Sequence, residues 1–156
     1  FTDYQFVIAV SPSQDFSFYQ SIIQSRDIAF LDNKTYDLLS ISFAALVTSG
    51  TATLETALFK VPQVVCYKAS NISYQIAKRI VTLKFISLVN LIMDQEVVTE
   101  LIQGDLNTKR LKKELEAILN PEKREQLFLD YYELEKKLGG KGASENTAKL
   151  IYKAIS

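Results

Sequence analysis

The 156-residue chain contains no histidine and a single cysteine, and its 18 basic residues are balanced by 18 acidic ones. Without histidine, the chain cannot by itself assemble the usual zinc ligand sets or the Ser-His and Cys-His catalytic pairs. Cys66 has no partner for an internal disulfide, which fits a reducing compartment, and its apolar neighbours predict an inert thiol. Balanced charge gives no diffuse attraction to phosphate backbones, so we expect no nucleic-acid partner.

Long hydrophobic runs are also missing. No stretch approaches the roughly 18 apolar residues of a membrane-spanning helix, and no charged-then-apolar leader opens the sequence. We therefore expect a soluble protein without a signal peptide. A hydrophobic content of 47% is enough to fill one core, so residues 1–156 are predicted to form a single domain. Because the chain begins on a strand-like run without methionine, we expect it to be truncated on its N-terminal side.

What is present is an alternation of apolar runs with helical periodicity. The predicted strands are 5–10, 27–31, 43–47, 63–67 and 85–89. The first predicted helix follows a cap at Ser13, and two more cover 34–40 and 52–60. A fourth runs through Tyr74 to Val81 after a cap at Asn71 or Ser73. From Met93 onward the whole chain is predicted to be helical, including Val97, Val98, Leu101 and Ile102. Helix boundaries are predicted at Asn107-Thr108 and at Asn120-Pro121, where Pro121 fits a first helical position, and Ser144 is predicted to cap the last helix.

This order predicts an α/β fold: a Rossmann-like parallel sheet with helices on both faces, followed by a helical C-terminal region. The glycine-rich stretch 139–142 reads as a hinge before a terminal helix at 143–156. Ligands of such sheets bind at the carboxyl ends of the strands. The turn after the strand at 43–47 is therefore the first place to look for a site.

The sequence of that turn and of the helix after it, S-G-T-A-T-L-E, suits a phosphate. Gly50 allows close approach of a ligand, while Ser49, Thr51 and Ala52 place amides and hydroxyls at the positive end of a helix. Glu55 lies one turn deeper, where a carboxylate can accept two hydrogen bonds from a ribose diol. The alternative is that Ser49 or Thr51 simply caps the helix, although Glu55 is out of register for a capping box from Thr51.

Six short stretches, in this order along the chain, together resemble one family. They are S-G-T-A-T-L-E at 49–55, V-P-Q-V-V-C-Y-K at 61–68, I-A-K-R at 76–79, F-I-S-L-V-N-L-I at 85–92, E-V-V-T-E-L at 96–101 and G-A-S-E-N-T-A at 142–148. The family is that of the bacterial lipid-A-disaccharide synthases. Its members are two-domain glycosyltransferases of the B type, and this chain resembles their C-terminal, donor-nucleotide half.

The resemblance implies an enzyme of lipid A and lipopolysaccharide biosynthesis. It would transfer 2,3-diacylglucosamine from UDP to 2,3-diacylglucosamine 1-phosphate, releasing UDP, with no metal and no cofactor. The family's catalytic carboxylate and acceptor groove belong to its N-terminal domain, so no catalytic residue is expected in this chain, which alone would be inactive.

The resemblance also implies roles for particular residues. It places Ser49, Gly50, Thr51 and Ala52 at the pyrophosphate and Glu55 at the ribose. By analogy with related B-type enzymes, Asn90 and Glu96 are expected to point toward the donor sugar. Two neighbouring positions depart from the family pattern: Val89 stands where proline is usual before the asparagine, and Gln95 stands where a basic residue is frequent before the glutamate.

The expected partners are the two lipid substrates and the missing N-terminal acceptor domain. A homodimer with exchanged C-terminal parts is conceivable through the 139–142 hinge. The resemblance further implies a cytoplasmic enzyme in peripheral contact with the inner membrane. Two alternatives stay open: a non-catalytic nucleotide-binding or interaction module, and another UDP-N-acetylglucosamine enzyme of the same fold, such as the peptidoglycan transferase or a 2-epimerase.

Overall fold

The computed structural model describes residues 1–11, 13–23, 28–70, 84–139 and 142–155 of the chain. It is a mixed α/β structure whose strand pairs are all parallel among these residues. The predicted fold class is therefore confirmed. The chain divides into two compact units, Phe1–Ser42 and Phe43–Ser156.

The first unit is a short βαβα arrangement. Strands β1 (Val7–Val10) and β2 (Ala29–Asp32) pair in parallel, and helices α1 (Phe16–Ile22) and α2 (Thr35–Ile41) follow them. An aromatic cluster joins α1 to β2, because the rings of Phe16 and Phe30 meet edge-on at 5.0 Å. The N-cap of α1 is Asp15, so the cap predicted at Ser13 is wrong by two residues. Instead, the Ser13 hydroxyl bonds the Ser11 hydroxyl at 2.8 Å.

The second unit contains the remaining elements. Its strands are β3 (Ala45–Thr48), β4 (Gln63–Tyr67) and β5 (Thr99–Ile102). Its helices are α3 (Thr51–Leu58), α4 (Leu88–Met93), a 3₁₀ turn (Gln103–Asp105), α5 (Thr108–Leu119), α6 (Pro121–Lys137) and α7 (Ala143–Ile155). None of the helices in the described ranges has the length and apolar character needed to cross a bilayer.

The three strands of this unit form a parallel sheet in the order β3-β4-β5. The central strand β4 is its most buried element, with Val64 and Val65 both fully inaccessible. Helices α3, α4, α5 and α6, together with Val97 and Val98 of the segment before β5, supply the rest of the core around the sheet. On α6 the fully or almost fully buried residues are Leu127, Tyr131 and Leu134, spaced at four and three as the periodicity predicts. Since all three strands run the same way, their carboxyl ends share one edge, and the turn between β3 and α3 lies at that edge.

Side-chain caps lie at the two helix boundaries that the sequence predicts at 107–108 and 120–121. The Asn107 side chain accepts a hydrogen bond from the Arg110 amide at the start of α5. The Asn120 side chain accepts from the amides of Glu122 and Lys123, and Pro121 opens α6 as its first residue. Ser144 lies inside α7, which begins at Ala143, so the cap predicted there is wrong.

Two predicted elements between the sheet and the late helices are also wrong. The stretch 85–89 is not a strand: it leads into α4, whose N-cap is Ser87. The stretch 97–102 is not helical, because Thr99–Ile102 pairs with β4 as β5. Both runs are short and apolar, and periodicity cannot separate a short buried strand from a buried helix. The predicted helix through Tyr74 and Val81 lies outside the described residues.

Candidate functional site

The turn between β3 and α3 adopts a backbone that only glycine tolerates well. Gly50 has φ +138° and ψ −161°, a region that a Cβ atom makes unfavourable. A Cβ at this position would meet no atom of the described residues within 4 Å. Gly50 is therefore required by the backbone conformation of the turn and leaves open space beside it.

Helix α3 begins without a side-chain cap. Its N-cap is Gly50, whose carbonyl oxygen accepts from the Thr53 amide at 3.2 Å and from the Thr53 hydroxyl at 2.8 Å. The amides of Thr51 and Ala52 precede these bonds and have no acceptor within the helix. The alternative in which Ser49 or Thr51 caps α3 is thus wrong. Two amides at the positive end of an eight-residue helix are left to meet an anion or water.

Ser49 and Thr51 contribute differently to this end of the helix. The Ser49 hydroxyl donates its single proton to the carbonyl of Ile86 at 2.9 Å, so toward a phosphate, which offers only acceptors, Ser49 can use its amide alone. Thr51 is exposed as the first helical residue, and within the described part of the chain its hydroxyl has no bonded partner. Of these two hydroxyls, that of Thr51 is therefore the one available to donate to a phosphate.

Glu55 lies one helical turn after Thr51, on the same face of α3. Its side chain is half-buried, and no described residue bonds or pairs with its carboxylate. Its backbone carbonyl accepts the Phe59 amide at 3.0 Å in the ordinary helical way. The structure thus brings together the turn residues and a carboxylate with free acceptor capacity.

Asn90 is fully buried near the start of α4, and its side chain is saturated. The Asn90 Nδ2 donates to the Val98 carbonyl at 2.8 Å and to Glu100 Oε1 at 2.9 Å. The Asn90 Oδ1 accepts from the amides of Val97 and Val98 at 2.8 and 3.0 Å. To contact a donor sugar, this amide would have to give up one of its protein partners. In the observed geometry it holds the loop that leads into β5.

Glu96 lies in the same loop, directly before Val97, and is exposed. Unlike Asn90, it has no bonded side-chain partner among the residues that the structure describes. Asn90 therefore bonds the backbone of Val97, the residue directly after Glu96. Asn90 anchors this loop from the interior, and Glu96 lies on its surface.

Glu100 is the polar residue of this region that the sequence predictions missed. Its carboxylate accepts from the amides of Ile86 and Ser87, both at 2.9 Å, from the Ser87 hydroxyl at 2.7 Å and from Asn90. Because residues 97–102 were predicted to be helical, there was no reason to expect the Glu100 side chain to point into the protein. The available signal was a carboxylate inside the apolar run that ends at Leu101 and Ile102, since charge in a buried run is normally hydrogen-bonded.

The carboxyl ends of β4 and β5 are joined by another side chain. Gln103 accepts the Ala69 amide at 3.0 Å and donates to the Ala69 carbonyl at 3.1 Å. Cys66, near the end of β4, makes a weak contact to the Val64 carbonyl at 3.9 Å, and burial raises the pKa of its thiol. A thiol that stays protonated is a poor nucleophile, as its sequence context predicts.

These features define a class: an α/β domain whose parallel strands present an uncapped helix end at one edge, with a carboxylate nearby that no described residue pairs with. This geometry is suited to a phosphorylated ligand. Comparison with known proteins identifies the family. The family model described as lipid-A-disaccharide synthetase matches residues 3–154. The chain belongs to this family.

Curated relatives agree. The chain is 37% identical over 148 residues to a protein of Syntrophus aciditrophicus named lipid-A-disaccharide synthase, covering 92% of this chain and 39% of the relative. It is 35% identical over 153 residues to the protein of that name from Anaeromyxobacter dehalogenans strain 2CP-1, covering 96% and 40%. It is 30% identical over 158 residues to the one from Geobacter sulfurreducens, covering 99% and 41%. The chain thus spans about two fifths of the length of these relatives, and its fold is compatible with the C-terminal half of a B-type glycosyltransferase.

Proposed function

We propose that this chain is the donor-nucleotide half of a hexosyltransferase that makes the lipid A disaccharide. The enzyme would transfer 2,3-diacylglucosamine from UDP to 2,3-diacylglucosamine 1-phosphate, with UDP as the leaving group. The observation that carries this proposal is family membership across residues 3–154, together with the uncapped α3 end inside the matched region. The family match does not favour a separate interaction module or a different UDP-sugar enzyme.

In this proposal the turn holds the diphosphate and α3 holds the ribose. The amides of Ser49, Gly50, Thr51 and Ala52 face the phosphate oxygens, and the Thr51 hydroxyl adds a donor. Glu55 accepts the ribose hydroxyls, because its carboxylate has free acceptor capacity one turn further along the helix.

The chemical task of this half is to stabilise the leaving group. As the bond from the anomeric carbon to the β-phosphate oxygen breaks, negative charge grows on the diphosphate, and preorganised amides at a helix start favour that charge. The acceptor hydroxyl and the base that takes its proton belong to the N-terminal half of the family's fold. The chain described here contributes donor binding and no catalytic residue.

The sugar side of the site is proposed to involve the loop between α4 and β5. Glu96 is placed there to meet the donor sugar from the surface of the loop. Asn90 supports the same loop from the protein interior, because its side-chain oxygen accepts hydrogen bonds from the backbone amides of Val97 and Val98.

The substrates also bear on location and assembly. Both carry acyl chains, which partition into a bilayer, so we propose a cytoplasmic enzyme in peripheral contact with the inner membrane. We further propose that the full-length enzyme can form a homodimer.

The proposal is tested with the full-length protein that carries this chain. Incubation with UDP-2,3-diacylglucosamine and 2,3-diacylglucosamine 1-phosphate is expected to yield the disaccharide and UDP in equal amounts, measured by mass spectrometry and by UDP release. Omitting the acceptor should abolish both products. UDP-N-acetylglucosamine offered as the donor serves as the matched comparison. Use of that donor with equal efficiency, or no disaccharide from a folded protein, would contradict the proposal.

A further inference from the structure

The Glu100 carboxylate organises the segment that leads into α4. From the described residues it receives four hydrogen bonds, whose donors belong to Ile86, Ser87 and Asn90. Bonds to an ionised acceptor are shorter and stronger than neutral ones. In the described part of the chain no cation pairs with Glu100, so these donors are what satisfies its charge. One side chain on β5 thereby fixes the backbone of residues 86 and 87.

The backbone of Ile86 also supports the turn between β3 and α3, which is proposed to bind the nucleotide. Ile86 donates its amide to Glu100 Oε2 at 2.9 Å, and its carbonyl accepts the Ser49 hydroxyl at 2.9 Å. Ser49 and Ile86 are 37 positions apart in the sequence, so this bond is a tertiary tie and not a local turn contact. Glu100 therefore reaches the turn through one intervening residue.

We propose that Glu100 is a positioning residue for the nucleotide-binding turn. It touches no ligand: it holds Ile86, Ile86 holds the Ser49 hydroxyl, and Ser49 sets where the amides of Gly50 and Thr51 point. This assignment rests on the proposed function, because it concerns the turn that would bind the UDP diphosphate. It also gives the Ser49 hydroxyl a role in supporting the turn, and leaves direct side-chain contact with phosphate to Thr51.

The test measures UDP binding by calorimetry in the full-length protein that carries this chain. Glu100→Gln keeps the size of the side chain but replaces one acceptor oxygen with a donor, so it is expected to weaken UDP binding by roughly fivefold to tenfold. Glu133→Gln makes the same chemical change at an exposed position of α6 and is expected to leave UDP affinity unchanged. The Gly50 amide signal in ¹⁵N-glycine-labelled protein should shift in Glu100→Gln and not in Glu133→Gln.

A double-mutant cycle separates positioning from a general loss of stability. Ser49→Ala removes the hydrogen bond to the Ile86 carbonyl, which is the link between Glu100 and the turn. Combining it with Glu100→Gln should therefore weaken UDP binding by no more than about twofold beyond the weaker-binding single variant. Thr51→Ala removes a direct donor, and its effect should multiply with that of Glu100→Gln. Thermal midpoints of each variant record any change in global stability.

The outcomes are distinguishable. If the wild-type protein does not bind UDP, the proposed function fails, and the positioning role fails with it. If the wild type binds UDP but Glu100→Gln binds equally well with an unmoved Gly50 signal, only the positioning role is overturned. Multiplied effects of Glu100→Gln and Ser49→Ala would overturn it too. Should Glu100→Gln not fold, Ser49→Ala decides alone: weaker UDP binding supports the role, and wild-type affinity refutes it.

Discussion

Replacing Asn90 with alanine is expected to lower the free energy of unfolding by about 3 to 5 kcal/mol. The side chain is fully buried and makes four hydrogen bonds. Alanine would remove this partner from the amide and carbonyl of Val98, and each buried group left unsatisfied costs roughly 1 to 3 kcal/mol. The Val97 amide would lose its bond to Asn90 but keep the one to the Gln95 carbonyl at 3.1 Å. Urea denaturation followed by circular dichroism measures the change.

Asn146→Ala is the matched control, because Asn146 is exposed on α7 and a surface substitution of this kind changes stability by about 0.5 kcal/mol or less. The two roles considered for Asn90 give opposite patterns. A residue that only contacts the donor sugar would, on substitution, raise the KM for the donor and leave the denaturation midpoint unchanged. That pattern would contradict the anchoring role described here.

Glu55→Ala is expected to weaken UDP binding by about 1 to 3 kcal/mol, or roughly fivefold to 150-fold. The physical reason is the loss of a charged acceptor for the two ribose hydroxyls. Because no described residue bonds the Glu55 carboxylate, the thermal midpoint should hardly move. The KM for the UDP donor and the dissociation constant for UDP are the quantities to compare.

Two comparisons sharpen the Glu55 result. Glu133→Ala, an exposed glutamate on α6, should leave both constants unchanged. Inorganic pyrophosphate lacks the ribose, so its affinity should be the same in Glu55→Ala and in the wild type. An unchanged donor KM in Glu55→Ala would remove the ribose assignment while leaving the diphosphate assignment standing.

The sequence was sufficient for the features that local chemistry decides. β4 occupies Gln63–Tyr67 as predicted, because a β-branched run between a proline and a polar segment has few other options. The caps at Asn107 and at Asn120 with Pro121 follow from side chains that reach only a few residues away. The S-G-T turn lies where it was predicted, since a glycine between a strand and a helix marks the junction.

The tertiary hydrogen bonds were beyond the sequence. Whether 97–102 became strand or helix depended on pairing with β4, and residues 63–67 give no sign of which partner they take. The role of Glu100 followed from that pairing, because only as part of β5 does its carboxylate face the amides of Ile86 and Ser87. The position of the Ile86 backbone could not be predicted from the sequence. The hydrogen bond from the Ser49 hydroxyl to the Ile86 carbonyl was therefore not predictable either.

The turn at Ser49 and Gly50 and the first turn of α3 are proposed to bind the UDP part of the donor, and a titration of UDP into ¹⁵N-labelled full-length protein is the decisive test. We expect saturable shifts of the Gly50, Thr51 and Ala52 amide signals, with smaller shifts for pyrophosphate at the same concentrations. UDP binding at millimolar concentration that leaves these three signals unmoved, or no binding at all, would refute a UDP site at the start of α3.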